Sequence, residues 1–527
     1  MTQPRYDLSS LVEPHEQSHP MLNGTNAAAR QIAEAVDALL DDDGRLHRRL
    51  WLYYANPHRP SPDLAAPEGV ASGRPYRQAQ EWGLPARVTG YTAGPEPFQG
   101  LPATPARKEV VVENDIGWRI DAGVDFLFGQ PVTIESAATD PERSTLIGDL
   151  LRGVIAANGG LAFLQKMALV GSVHGGVDVL VKLLDEADAL PACDVANLGA
   201  TADDGAMAYA TVDLARRVRL ELVEPARSMP ILHEADNRMC VHLQVYRLPR
   251  DETSAETPDR AWLSRLFGAG TRVDPQETLV VEAIGPRGWH VYHDGKLVRS
   301  GRHPLGRVPV AHVQNIVRPF AWHGAGDVEP LIPLQDELNT RLSDRAYRVA
   351  LHSMRMYLGV GVDGFLNQKI APGQMWETDN TEANIIEFGG EAPANPAESA
   401  AIAEVREALD KASGVNPVAS GAIRGRVGNL TSASALRLTF QSLLARTARK
   451  RANYGSGIAV ACELALHWLD AAGLFATTPE ERRIRIVWPD PIPVDESSRL
   501  DQAAAKQRLG VPDETVLREL GYRQSDT

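Results

Sequence analysis

The sequence predicts an α+β fold, and three observations carry that prediction. Helical periodicity dominates the first 170 residues and again the chain beyond Pro330. Between about 176 and 315 the apolar period changes to two, the mark of strands with one buried face. The long helical runs lie mainly before and after that stretch, so helices and strands are grouped along the chain, as in an α+β fold.

The first helix is expected from about Asn26, with Ile32, Val36, Leu39 and Leu40 on one face and Asp41-Asp42-Asp43-Gly44 breaking it. That triplet lacks the alternating ligands and terminal Glu of a calcium loop, so it reads as a solvated helix end. A short helix through Leu46, Leu50, Trp51 and Tyr54 should stop at Asn56-Pro57. Residues 57–105, rich in Pro and Gly, read as a long loop or extended arm. An amphipathic helix is expected over about 110–128, then a strand from Val132, then helix again over 144–170.

In the β-region Val218, Leu220 and Leu222 alternate with Arg217, Arg219 and Glu221, and His293-Asp294-Gly295-Lys296 has the composition of a hairpin turn. The polar stretch 250–277 reads as an exposed insertion. A helical run from about Leu331 to Tyr357, longer than most globular helices, suggests a strut, with Leu331, Leu334, Leu338 and Leu342 as a stripe to be covered by a neighbour. Asn395-Pro396-Ala397-Glu398 starts the next helix, which ends at Ser413-Gly414. Residues 415–431 form a Gly-rich loop. A long helix follows from about Ser432, with Gly455 and Gly457 expected to bend or break it. A short strand at Ile484–Val487 and two small helices close the chain.

Of the 527 residues, 43% are hydrophobic and 23% charged, which suffices for a buried core and excludes general disorder. The charge balance is 54 Lys and Arg against 68 Asp and Glu, a formal −14, which excludes a simple basic nucleic-acid coat. Cys193, Cys240 and Cys462 are widely spaced and odd in number, so neither a disulfide framework nor a CxxC metal site is expected, and a reducing compartment fits best. Met1 through Pro20 lacks the apolar core of a secretory signal. The most apolar stretches, 161–184 and 457–475, carry Lys166 and Asp178 or Glu463 and Asp470, so neither reads as a membrane span.

Few residues suggest chemistry. Gly359-Val360-Gly361-Val362-Asp363-Gly364 matches GxGxxG, but a long helix precedes it where a phosphate cradle needs a strand-to-helix turn. His290 and His293, three apart on a strand, face opposite ways and do not chelate one metal easily. No P-loop, HExxH or GxSxG is present. No catalytic residue, metal site or cofactor is therefore expected.

The most informative anomaly is electrostatic. From Lys411 to Cys462, 52 residues contain no Asp or Glu yet carry Arg424, Arg426, Arg437, Arg446, Arg449, Lys450 and Arg451 as well as Lys411. Two explanations stand side by side: pairing with acidic groups of this chain or a neighbouring subunit, or contact with a polyanion, which Lys and Arg bind without sequence readout.

Several stretches, in order, resemble the portal proteins of tailed bacteriophages, of the siphophage type. They are Arg49-Leu50-Trp51-Leu52-Tyr53-Tyr54, the segment Asp121 to Val132 with its Leu127-Phe128-Gly129-Gln130-Pro131-Val132 ending, and Gly326-Asp327-Val328-Glu329-Pro330-Leu331. Then come Leu334-Gln335-Asp336-Glu337-Leu338-Asn339-Thr340-Arg341-Leu342-Ser343-Asp344 and Ala412-Ser413-Gly414-Val415-Asn416-Pro417 with Ser432-Ala433-Ser434-Ala435-Leu436. The tail from Ile492 through Thr515 is also similar. Pro333, inside the first turn of the strut, and the stretches 57–105 and 250–277 depart from the family pattern.

The resemblance implies a portal-like protomer: arm and wing over 1–327, stem helices over 328–357 and 396–414, and a clip over 358–395 between them. A tunnel loop over 415–431, a long wing helix over 432–473 and a helical crown region over 474–527 complete it. It further implies a ring, typically of twelve subunits, at one capsid vertex of a virion assembled in a host cytoplasm. Double-stranded DNA would pass through the ring in packaging and ejection. The terminase large subunit, a head–tail adaptor, and the major capsid and scaffolding proteins would be partners, and no membrane would be involved. On this mapping Arg424, Arg426 and Asn429 lie on the tunnel loop. Arg437, Arg446, Arg449, Lys450 and Arg451 lie on the wing helix, and Phe365, Trp376, Ile385 and Ile386 are clip docking residues. A virion scaffold or minor head protein without a channel, and an enzyme using Gly359–Gly364, are the competing classes.

Overall fold

The computed structural model describes residues 6–60, 76–92, 94, 109–191, 205–249, 277–353, 356–361, 381–388, 396–420, 437–492, 496–513 and 516. In chain order its α-helices are α1 (Asn26–Ala38), α2 (Gly44–Ala55), α3 (Ala86–Thr89), α4 (Asp115–Phe128), α5 (Pro141–Ala157) and α6 (Leu161–His174). They continue as α7 (Gly205–Arg216), α8 (Ile332–Ser353), α9 (Pro396–Ser413), α10 (Gln441–Ala471) and α11 (Glu496–Arg508). The strands are β1 (His58–Pro60), β2 (Tyr76–Gln78), β3 (Thr133–Ser136), β4 (Gly176–Leu183), β5 (Val218–Val223), β6 (Ser228–Leu232) and β7 (Met239–Pro249). The rest are β8 (Glu277–Ile284), β9 (Gly288–His293), β10 (Lys296–Arg302), β11 (Val310–Gln314), β12 (Met356–Val360), β13 (Asn384–Phe388) and β14 (Ile484–Val487). The mixture of helix and strand is α+β.

The chain forms two compact units that do not follow chain order: Met1–Arg48, Ile120–Asp327 and Gly414–Thr527 make one, Arg49–Arg119 and Val328–Ser413 the other. The first unit holds an antiparallel five-stranded sheet in the order β10-β9-β8-β7-β6, a three-stranded sheet β11-β4-β5 and the β14-β3 ladder. One face of the five-stranded sheet, with Val241, Leu243, Val245, Val281 and Ala283, is covered by Leu8, Leu11, Val12 and Leu22 of the N-terminal segment and by Ile32 and Val36 of α1. The period-two alternation has its cause here: only one side of these strands faces that core. Asp294 and Gly295 adopt φ of 48° and 76° in the turn joining β9 to β10, as a two-residue hairpin requires.

Several expectations are corrected. The acidic triplet does not break the first helix; Leu39–Asp43 is a π turn whose Leu39 carbonyl accepts the Gly44 amide, and the chain runs on into α2. The helix expected over 144–170 is two helices, parted where Gly159 and Gly160 take positive φ. Within 57–105, residues 76–91 are ordered as β2, a 3₁₀ turn at Ala79–Gly83 and α3, with Gln80, Glu81 and Val88 buried. Residues 250–276 lie outside the described part. The strut is shorter than expected: α8 stops at Ser353 and Met356–Val360 is a strand paired antiparallel with β13. Leu331, Leu338 and Leu342 are already buried within the single chain, so this stripe does not call for a neighbouring subunit.

Gly455 and Gly457 do not interrupt α10, which runs 31 residues. Their role is close packing: a Cβ at Gly457 would stand 2.1 Å from a methyl of Val313, and one at Gly455 would stand 3.2 Å from Trp488 Nε1. Helix α4 starts at Asp115 rather than near 110, because residues 111–114 are held extended by α8.

That last contact organises the second unit. Gln335, Asn339 and Ser343 stand at i, i+4 and i+8 on α8, one above another, and all three are buried. The Asp115 amide donates to Gln335 Oε1 at 3.1 Å, the Glu113 amide to Asn339 Oδ1 at 3.0 Å and the Val111 amide to Ser343 Oγ at 3.0 Å. In return Gln335 Nε2 donates to the Glu113 carbonyl at 2.6 Å and Ser343 Oγ to that of Val111 at 3.2 Å. Helix side chains thus do for alternate residues of an extended segment what a neighbouring strand would do.

Candidate functional site

The acid-free run begins at the end of α9 and fills the first two-thirds of α10. On α10 the buried positions Leu443, Thr447, Lys450, Tyr454, Gly457, Ile458 and Ala461 recur at helical spacing. Lys450 therefore points into the core of the first unit, where it meets Asp327. Its Nζ lies 2.5 Å from Asp327 Oδ2 and donates to Ser172 Oγ at 2.9 Å. Arg446, one turn earlier, donates from Nε to Asp327 Oδ1 at 3.2 Å, and Asn315 Nδ2 donates to Oδ2 at 3.2 Å. The Asp327 amide donates to the Ser172 carbonyl at 2.7 Å, and Tyr454 OH donates to Asn315 Oδ1 at 3.2 Å. Burial alone would raise the Asp327 carboxyl, but the Lys450 ammonium and the Arg446 guanidinium more than offset it and hold it at about 2. Burial works the other way on Lys450 and lowers its pKa.

The remaining basic residues have other surroundings. Arg437 pairs with Asp490 at the surface. Arg451 lies over the Trp488 ring, 5.2 Å from its centroid. Lys411 pairs with Glu407 at 2.8 Å. Arg449 is exposed on the outer face of α10. Arg424, Arg426 and Asn429 lie outside the described residues, as do Phe365 and Trp376. Ile385 and Ile386 belong to β13, opposite Gly359 and Leu358, and Ile386 is exposed. The structure thus brings Arg446 and Lys450 together on one carboxylate. Asp327, Ser172 and Asn315 were not singled out from sequence; the available signal was a lone Asp beside Gly326, just ahead of a helix start.

A second buried polar cluster lies on β4. Asp178 accepts from Ser228 Oγ, and its carboxylate stands 3.1 Å from His242 Nε2 and 2.6 Å from His312 Nδ1. Burial opposes ionisation there, but the hydrogen bonds from His242 and His312 prevail and hold the carboxyl far below its ordinary range. Ser228 Oγ and the carboxylate both address the same His242 nitrogen, and His242 is wholly buried. A nucleophile relay needs the carboxylate on the ring nitrogen opposite the hydroxyl, and this arrangement does not have that geometry. Among the described residues no group of three or more His, Cys, Asp or Glu could hold a metal ion. The GxGxxG stretch starts within β12, in a two-stranded antiparallel ladder rather than a parallel βαβ unit. No single described helix is long and apolar enough to cross a membrane, though α5 and α6, bent by 70°, pass that test as a pair.

A family model described as phage portal protein, SPP1 Gp6-like, matches residues 121–525. The chain belongs to the phage portal protein family. That family is structural rather than enzymatic. No curated protein matches this portal-family chain. Among solved structures it is similar to a chain from the neck of an empty gene transfer agent (GTA) particle, computed with C6 symmetry. That likeness has 14% identity and a TM-score of 0.43, covering 77% of this chain and 89% of the other. A chain of the virion of a native gene transfer agent particle has 12% identity, a TM-score of 0.41 and the same two coverages. The family assignment rests on the sequence match and not on these distant likenesses.

Proposed function

We propose that this portal-family chain is one protomer of a closed ring at a single capsid vertex of a virion, typically a twelve-subunit ring. Double-stranded DNA passes through it in packaging and ejection, and the ring docks the terminase large subunit and the head–tail adaptor. The family match over 121–525 carries this reading. In the second unit, α8 with 22 residues and α9 with 18 are the stem helices, about 33 and 27 Å long at 1.5 Å per residue. The β12–β13 ladder belongs to the clip between them. Residues 415–431 are the tunnel loop, 432–473 the wing helix and 474–527 the crown region. With Arg446 and Lys450 engaged by Asp327 and Arg437 by Asp490, the DNA contact is assigned to Arg424 and Arg426 on the loop, with Asn429 beside them, and the exposed Arg449 on the wing helix to a neighbouring subunit.

Negative-stain imaging of the purified protein, with its mass measured in solution, tests the ring. Closed rings with a central hole are expected; a monodisperse monomer across micromolar concentrations overturns the reading. Arg424→Ala with Arg426→Ala should leave rings intact and weaken DNA retention in a salt-dependent way. Parent-like packaging and retention at low and high salt would remove the loop from the DNA contact.

A further inference from the structure

The last turn of α6 and the glycine after it gather three separate segments of the first unit. Gly175, at φ 89°, lies against Gly324, so that a Cβ there would stand 2.4 Å from the Gly324 carbonyl oxygen. Its own carbonyl accepts the Asn315 amide at 3.0 Å, and the Ser172 carbonyl accepts the Asp327 amide at 2.7 Å. The loop from Ile316 to Asp327 is thereby closed on itself and on α6, with the Ala325 amide donating to the Ile316 carbonyl at 2.8 Å.

Three histidines meet at this closure. His47 of α2 and His174 of α6 face each other through their Nδ1 atoms at 3.2 Å, with ring centroids 5.1 Å apart. His323 of the loop packs edge-on to His47 at 5.7 Å. An Nδ1-to-Nδ1 hydrogen bond holds one proton; when both nitrogens carry one, the bond becomes a repulsive contact. We propose that His47, His174 and His323 form an acid-labile latch, in which like charge building up on His47 and His174 repels a charged His323 and releases the loop Ile316–Asp327 from α6.

The electrostatic surroundings agree. Burial first, then the neighbouring rings, lowers His47 to about 4 and His174 to about 3, and burial lowers His323. His323 is the one ring with acidic groups nearby, Asp178 and Asp43, and it also faces His312. Asp178 already accepts from Ser228 and faces His242 and His312, and its charge and that of Asp43 offset only part of the effect of burial on His323. The ordinary histidine pKa is 6.5, so an opened loop takes up protons before the closed one does. Closure is therefore complete above pH 6.5 and is lost as pH falls toward about 4, by up to about tenfold per pH unit for each proton taken up. The Asp327 cluster does not titrate in that window, since its carboxyl stays ionised down to about 2.

Hydrogen exchange of the full chain, read by mass spectrometry between about pH 7 and pH 4 and corrected for intrinsic exchange, tests this. Peptides over 316–327 should lose protection with a slope of more than one proton while β7 keeps its protection. In His47→Gln, a change outside the loop, closure should persist at neutral pH with a shallower slope; His323→Gln should likewise be shallower. Loop protection that is flat to pH 4, that is lost together with β7, or that keeps its full slope in His47→Gln overturns the latch. A loop already open at neutral pH in both variants assigns the rings a packing role and overturns it equally.

Discussion

Lys450 places its ammonium 2.5 Å from the carboxylate of Asp327 with both side chains almost wholly out of solvent, and Arg446 closes the other carboxylate oxygen. Removing one member of such a group leaves a buried charge short of its partner, which costs more than the intact cluster contributes. Lys450→Met should destabilise the fold by about 3 kcal/mol in denaturant titration. Adding Asp327→Asn should recover part of that loss. A single variant as stable as the parent would show that Arg446 alone satisfies the carboxylate.

The stripe on α8 makes a sharper demand, because its groups hold backbone. Asn339→Leu orphans the Glu113 amide and removes the bond from Asn339 Nδ2 to Gln80 Oε1, which measures 3.1 Å. A buried donor left unpaired costs about 1–3 kcal/mol. Exchange at 111–115 should rise with that loss; unchanged protection there would mean that the extended segment is held by something other than α8.

Two glycines in helices should respond oppositely to alanine. At Gly123 in α4 nothing lies within 4 Å of a new Cβ, so Gly123→Ala should stabilise by about 0.5–1 kcal/mol through backbone entropy. At Gly457 the new methyl would stand 2.1 Å from Val313 Cγ2, and a β-branched side chain on a buried strand has little room to turn. Overpacking should win over helix propensity there, with a net loss of about 1–3 kcal/mol in thermal or denaturant unfolding.

Asp336 sets a pH dependence of its own. It accepts from Tyr53 OH at 2.8 Å. Burial raises its carboxyl to about 6, despite the hydrogen bond from Tyr53 and the charge of Arg49. The folded chain thus holds a proton that the unfolded chain releases at an ordinary 3.8, so stability falls as pH rises from about 4 to about 6. Asp336→Asn keeps an acceptor for Tyr53 and removes the ionisation. It should raise stability at pH 7 by about 1–2 kcal/mol and flatten the slope in that window; an unchanged slope would show that Asp336 does not titrate there.

Much of the secondary structure is legible in the residues because its causes are local. The alternation of Val218, Leu220 and Leu222 in β5, the Asp294-Gly295 turn and the Pro396-Ala397-Glu398 start of α9 each follow from side-chain period or backbone preference within a few positions. Other misread elements have a distant cause. Gly457 sits in a helix for the sake of Val313 on a distant strand, and residues 111–114 stay extended because α8 supplies their hydrogen bonds. The Gly- and Pro-rich stretch after Asn56 carries buried Gln80, whose side chain donates to the Tyr53 carbonyl and to Asn114 Oδ1. Local propensity carries no trace of a partner more than twenty residues away.

The same division holds for the site. The sequence by itself determined that 52 residues around the start of α10 carry basic side chains and no acid, and it determined the family, since the match follows the order of short motifs along the chain. Only the tertiary structure decided which of those charges are spent inside the molecule. Lys450 and Arg449 are adjacent and alike in sequence, but a turn of 100° per residue sends one into the core against Asp327 and leaves the other at the surface. Charge is a property of the residue. Whether that charge is available to a partner depends on the face of the helix that carries it and on what that face is packed against.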